Sequence, residues 1–404
     1  MHKKLWNKDY ILMLQGNAFS AIGDIIYSVA IGYWVFEQTG SSALMGIMSS
    51  ISMFMTMLVM PFSGSIIDKC NRKVIIVGMD ILRGLIMLVV GALAFTDRLN
   101  VAIVLTAAFL ASGCSVFFSP AVSTLMLDII PYNDMVRGQS VMNGVGTFLN
   151  LVGKALSGAV VAFLGIPLVI VINGISYLIS AFTELFVTVP RTKKQGEAVN
   201  IRGILSDFRT AIHEILHNQF LRLFIPCALL LNLLGSGPFT LMLPFALEKG
   251  FTVELYGYMM SVETTASLIC VILLGIVKLS NQNRLRLMQS GFITSCFFTI
   301  LAFAAKSYWM VCLFLFLGGF CSTLGNSIFN AVLVLALPQD KRGVLLGFLS
   351  AACTGGSALS AVIYGLLCDI FPLPMVFIIG TALSIPVMAY LCFHKSAKAF
   401  ILEQ

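Results

Sequence analysis

Gly64-Ser65-Ile66-Ile67-Asp68-Lys69-Cys70-Asn71-Arg72-Lys73 is the stretch on which the fold turns. It sets a short polar connector, Asp68 to Lys73, between two long apolar runs. Of the 404 residues, 58% are hydrophobic and only 11% are charged, against about 25% charged in an ordinary soluble domain. The chain therefore reads as an all-α polytopic membrane protein, and a tight charged turn between two of its helices needs a reason of its own. Twelve apolar segments, from Tyr10–Phe36 through to Pro374–Phe393, are each long enough to cross a bilayer as a helix. They are too long for the strands of a membrane β-barrel and lack period-two alternation.

The net charge of +7 is a topological signal rather than a nucleic-acid footprint. Of 25 Lys and Arg, only Arg98, Lys249 and Lys306 fall on one face and Arg83 and Lys154 lie inside spans, which leaves 20 on the face that carries both termini. By the positive-inside rule that face is cytoplasmic, and a multi-pass protein of a bacterial cell membrane is expected. The basic N-terminus runs straight into a full span without a small-residue cleavage site, so no cleavable leader is expected. Nine cysteines lie in spans and Cys70 in the turn, with no CxxC, so neither disulfide nor metal framework is expected.

The longest polar interval, 190–219, separates a six-span segment, 1–189, from a second, 220–404. Its later part, Ile201 to Leu216, has the apolar spacing of an amphipathic helix lying at a membrane surface. The halves echo each other: Pro131, Asp134, Arg137 and Gly138 open the fifth span as Pro338, Asp340, Arg342 and Gly343 open the eleventh. Such internal symmetry marks transporters built from repeats.

Twelve spans, the six-plus-six division and the Gly64 string together resemble the major facilitator superfamily. Its signature between the second and third helices is G-x-x-x-D-[RK]-x-G-[RK]-[RK], matched here at Gly64, Asp68, Lys69, Arg72 and Lys73, with Asn71 where glycine is usual. Asn is the best substitute for glycine if that turn needs φ > 0. Within the superfamily the chain is most similar to the macrolide-efflux-type exporters of Gram-positive bacteria. The likeness is carried by Gln15 and Asp24, Glu37-x-Thr39-Gly40-Ser41, Asp80-x-x-Arg83, Ser119-Pro120-Ala121 and Pro131. The resemblance implies two six-helix bundles and proton-driven export of amphipathic drugs or toxic metabolites by alternating access. It also implies a cavity lined by the first, fourth, seventh and tenth spans. One departure stands out: the fifth span reads Leu149-x-x-x-Gly153-Lys154-x-x-Ser157-Gly158, where drug/proton antiporters carry G-x-x-x-G-P-x-x-G-G.

Intramembrane polar residues are the candidates for chemistry, since each charge at mid-bilayer costs roughly 2.5–3.5 kcal/mol on insertion scales. In the fifth span Asn143, Thr147, Asn150, Lys154 and Ser157 share a helix face; in lipid such a stripe must face protein or a water-filled cavity. Asn17, Ser20, Asp24, Tyr27 and Ser28 share a face of the first span. Counted from the start of their spans, Asp24 and Lys154 both lie about 22–24 Å deep. At one depth the two can pair, either as a structural ion pair or as a switch in which proton arrival on Asp24 frees Lys154. Glu263, about 15 Å into the eighth span with Thr264, Thr265 and Ser267 beside it, is the other candidate proton carrier. Glu184, six residues before Pro190, is expected at the membrane interface. Asn232, Ser236 and Thr240, and Ser322, Asn326 and Asn330, form polar rows on the seventh and tenth spans, with Tyr27, Phe239, Phe329 and Met242 as a greasy wall. Gly235, Gly237, Pro238 and Pro244, and Gly355-Gly356, are expected kink sites. Asp68, Arg72, Asp80, Arg83 and Arg137 are expected to form a cytoplasmic charge cluster, which in the superfamily latches the halves.

An enzyme is not expected, nor any cofactor. There is no GK[ST] phosphate loop, and His213-Glu214-Ile215-Leu216-His217 has the letters of a zinc-peptidase helix without an evident third ligand. The partners implied are a small-molecule substrate, protons and the lipid bilayer. An anionic or lipid-like compound gripped by Lys154, such as a siderophore or lysophospholipid, is the alternative cargo.

Overall fold

A computed structural model of the chain describes residues 5–131, 134–188, 217, 219–276, 281–336 and 342–393. The expected surface helix between residues 201 and 216 lies outside this set, as do Pro338, Asp340, His213 and Glu214. The described residues form helices α1 (Lys8–Thr39), α2 (Ser42–Lys69), α3 (Arg72–Phe95), α4 (Val101–Ile129), α5 (Met135–Leu164) and α6 (Ile166–Glu184), then α7 (Gln219–Thr240), α8 (Met242–Glu248), α9 (Val253–Ile276), α10 (Asn281–Ala304), α11 (Tyr308–Ala336), α12 (Arg342–Cys368) and α13 (Leu373–Phe393). Among them, 12 are long and apolar enough to cross a membrane. Large apolar side chains such as Phe163 and Trp309 point away from the protein, as lipid-facing residues do.

Packing divides the chain into two units, one holding α1 to Gln38, α2 from Phe54, and α3–α6, the other holding Thr39–Met53 and the helices from α7 onward. In the first unit α3 packs against α4 and α6. Gly84 and Gly174 make that contact possible, since a Cβ on Gly174 would stand 3.1 Å from the Gly84 carbonyl oxygen. Small residues at membrane helix interfaces let backbones approach in this way. In the second unit α12 packs on α7, and α11 on α9 and α10.

The seventh span is interrupted. Pro238 lies inside α7, which stops at Thr240, and the chain resumes as α8, where Pro244 sits in the first turn. Proline removes a helical donor, and it is tolerated in a first turn. Gly355-Gly356, by contrast, leave α12 unbroken. Gly356 is a close-approach residue: a Cβ there would lie 2.9 Å from the Leu229 carbonyl oxygen of α7.

The start of α2 is held by a carboxylate from beyond the end of α12. Gly40 turns the chain out of α1 at φ +61°, a conformation that glycine adopts without penalty. The Asp369 carboxylate then accepts from Ser41 Oγ at 2.7 Å, Ser42 N at 2.6 Å and Ala43 N at 3.2 Å. These are charge-assisted bonds to the otherwise unsatisfied donors of a helix N-terminus. Asp369→Ala is expected to lower stability by about 0.5–2 kcal/mol, the range for a lost N-terminal cap. Thermal unfolding of the purified protein in detergent reads this, and an unchanged midpoint would contradict it. At another loop, Lys249 Nζ donates to the Phe303 carbonyl at 3.0 Å and to that of Ala305, capping the end of α10. Burial there holds the Lys249 ammonium below its usual range.

Candidate functional site

Four helices of the first unit converge on a buried group of charges. Gly16, Ser20 and Gly23 of α1 are buried, and they bring its backbone against α6: a Cβ on Gly16 would meet Ser180 Oγ at 2.9 Å. That approach sets the Asp24 carboxylate on α6, where Oδ1 accepts from the Tyr177 hydroxyl and from Asn173 Nδ2 at 3.4 Å. One turn apart on α3, Asp80 and Arg83 form an ion pair, 0% and 4% exposed. The Arg83 guanidinium is sandwiched between two rings, 4.1 Å from the centroid of Phe118 on α4 and 4.5 Å from that of Tyr177. Delocalised and weakly hydrated, a guanidinium suits such a slot. Ser180 and Glu184, at the end of α6, are 0% and 1% exposed.

This geometry corrects one expectation. The hydrogen-bond partners of Asp24 are Tyr177 and Asn173 rather than Lys154, because Asp24 faces α6. Among the described residues no ion pair involves Lys154, which is half-buried. Asp80 and Arg83 lie within the helix packing of the first unit. Glu184, the last residue of α6, is buried among the helices at 1% exposed.

The α2–α3 turn is also resolved differently. Asn71 has φ −73° and ψ 110°, so no left-handed conformation is needed. Its side chain accepts from Lys73 N at 3.1 Å and caps α3, a job Asn does well. Arg72 is 7% exposed and pairs with Asp128 at the end of α4. Arg137 is exposed, and the side chains of Gly64, Asp68 and Lys69 lie outside the described set. Of the ten cysteines, all free thiols, Cys70 in this turn is the exposed one.

The second unit encloses a cavity of about 350 Å³. Asn232 and Ser236 of α7, Glu263 of α9, and Ser322, Asn326 and Asn330 of α11 line it, with Phe224, Phe239, Phe292 and Phe329 as apolar wall. Ser357 of α12 ties the polar side together, donating to Asn232 Oδ1 at 3.1 Å and lying 2.8 Å from Ser236 Oγ. Glu263 has room because α11 carries glycine opposite it: a Cβ on Gly319 would come within 3.2 Å of Glu263 Cγ. Met242, expected in the wall, is instead fully buried in the packing of α8. Asn17 and Tyr27 of α1 are half-buried, and Asn143, Thr147 and Asn150 of α5 are exposed. A mixed apolar and polar chamber of this size suits a small molecule with both characters.

Residues 13–294 and 250–399 match the Major Facilitator Superfamily. The chain belongs to that superfamily. It is 28% identical over 227 residues to BacE of Bacillus amyloliquefaciens, named as a bacilysin exporter, covering 53% of this chain and 52% of BacE. It is 22% identical over 186 residues to macrolide efflux protein A of Streptococcus pyogenes, covering 46% of each. The chain thus spans about half the length of these curated relatives. In structure it is similar to the nucleoside transporter NupG, with a TM-score of 0.75 and 14% identity over 95% of this chain and 100% of NupG. It is a multi-pass membrane protein of the major facilitator fold with efflux-type relatives.

Several members of the buried network in this superfamily protein were not singled out in the sequence. Tyr177, Asn173 and Ser180 look like ordinary packing residues of an apolar helix, and Asp128 and Asp369 look like loop carboxylates. The usable signal was Gly16, Ser20 and Gly23, spaced four and three, which mark the face of α1 that meets α6.

Proposed function

We propose that this protein is a secondary active exporter that expels amphipathic compounds, macrolide-like in character, in exchange for protons. It works by alternating access between its N-terminal bundle, 1–189, and its C-terminal bundle, 220–404, with both termini cytoplasmic. The observation that carries this reading is the second-unit cavity, where one carboxylate and two polar rows stand among four phenylalanines. An apolar wall with few directional groups accepts varied greasy cargo and holds it by burial rather than by a fixed hydrogen-bond pattern. Glu263 sits where cargo and a proton would compete, and Asp24 is the corresponding carboxylate of the first unit. Efflux-type relatives support export as the direction.

Cells lacking their own pumps and expressing this protein are expected to accumulate less radiolabelled erythromycin than empty-vector cells. That difference should vanish when the proton gradient is collapsed. Equal accumulation at verified expression would remove this macrolide from the cargo, and a difference that survives collapse would remove the proton as driver. The second reading, an anionic or lipid-like cargo, is favoured by one feature. The Lys154 ammonium has no ion-pair partner among the described residues and lies, half-buried, on the face of α5 that carries the exposed Asn143, Thr147 and Asn150.

A further inference from the structure

The buried group in the first unit contains more acid than base. Asp24, Asp80 and Glu184 supply three carboxyls, and among the described residues the cation beside them is the Arg83 guanidinium, paired with Asp80. Facing them are Tyr27 on α1, Cys114 and Phe118 on α4, and Tyr177, Ser180 and Thr183 on α6, none of which adds a cation. Fully ionised, the group would hold two uncompensated negative charges where Asp80 and Glu184 have no access to water. An isolated buried carboxylate is too costly to persist and takes a proton instead.

The hydrogen bonds locate where that proton belongs. Asp80 Oδ1 is paired with Arg83, whereas Asp80 Oδ2 and Glu184 Oε2 are buried with no hydrogen-bond partner. Ser180 stands beside both carboxyls, its hydroxyl donating to Glu184 Oε1 at 3.3 Å. Buried acceptors are rarely left unmet. A proton on Glu184 removes its charge and leaves Asp80 as the carboxylate that balances Arg83.

Building on the proton-coupled reading above, we propose that Glu184 carries a proton in the resting protein and that Arg83, Asp80 and Tyr177 couple it to Asp24, so that a proton bound at Asp24 expels one from Glu184. The step balances: Asp24 carboxylate gains a proton and becomes neutral, while the Glu184 acid releases one and becomes a carboxylate. The net charge of the group is unchanged. Its direction follows from Coulomb's law. Neutralising Asp24 removes a negative charge near Arg83, which leaves the cation's field available to stabilise a second carboxylate beside Asp80. Seven residues separate Tyr177 from Glu184 on α6, about 10 Å of helix, so the exchange carries charge toward the end of the unit where Asp9 and Thr188 meet.

Infrared spectroscopy of the purified protein in nanodiscs, compared between variants at neutral pH, reads protonated carboxyls without requiring any cargo. Glu184→Gln is expected to lose one carboxylic-acid band that Asp80→Asn and wild type retain. Asp24→Asn, which imitates the neutral state of that residue, is expected to lose part of the same band at the same pH. A band that survives in Glu184→Gln overturns the proton assignment, and a band unaltered in Asp24→Asn overturns the coupling. Gln is the neutral isostere of a protonated Glu, so failure of Glu184→Gln to fold would also count against the proposal. Loss of the band together with export that ignores the proton gradient would leave the site standing and reject proton-driven transport instead.

Discussion

Asp24→Asn is expected to reduce proton-dependent export to the level of empty-vector cells while the protein still reaches the membrane in normal amount. The asparagine keeps the shape of the side chain and an oxygen acceptor for the Tyr177 hydroxyl and Asn173 Nδ2, the two bonds that fix Asp24 on α6. It therefore removes a titratable charge without orphaning its partners, which is the milder of the two ways to alter a buried hydrogen bond. Asp24→Glu restores the charge one methylene out of place and is expected to recover part of the activity. Accumulation assays at matched expression, with the gradient intact and collapsed, separate these outcomes. Full activity in Asp24→Asn would move proton coupling to Glu263.

The second large effect is on stability. Arg83→Met is expected to cost about 3–5 kcal/mol, the range for breaking a buried ion pair from one side. Methionine fills the space between Phe118 and Tyr177 but leaves Asp80, 0% exposed, without its counter-charge. Adding Asp80→Asn should recover much of the loss, because the second change removes the stranded carboxylate. Arg83→Lys should recover little, since a compact ammonium neither stacks between two rings nor offers a planar fork. Thermal unfolding of the four proteins in one detergent decides the point. Equal destabilisation in the single and double variants would mean that packing, not charge, sets the cost.

The twelve spans and the membrane class were legible because apolar length is a one-dimensional property, and the bilayer makes it decisive. The polar rows of the seventh and tenth spans could also be read, since a four-residue repeat of Asn and Ser leaves a trace in the letters. The first-unit network resisted for a different reason. Counting residues gives depth along a helix axis but not which neighbour a side chain faces. Asp24 and Lys154 matched in depth, yet the tightly packed glycine face of α1 turned Asp24 toward α6. The nearness of Glu184 to Pro190 speaks to depth only, whereas its burial depends on how the helices of the first unit meet. Asn71 was read through the glycine it replaces, and its actual work, capping α3, depends on a backbone conformation that the letter alone does not reveal.

The exposed thiol in the α2–α3 turn gives the native chain a topological marker that needs no engineering. A charged maleimide that cannot cross lipid can modify Cys70 only from the compartment the turn faces, while the other cysteines lie within the spans. Comparing intact cells with inverted vesicles would therefore report the orientation of the whole chain. Because Cys70 directly precedes the Asn71 cap, a fluorophore attached there would also sense any fraying of the first turn of α3.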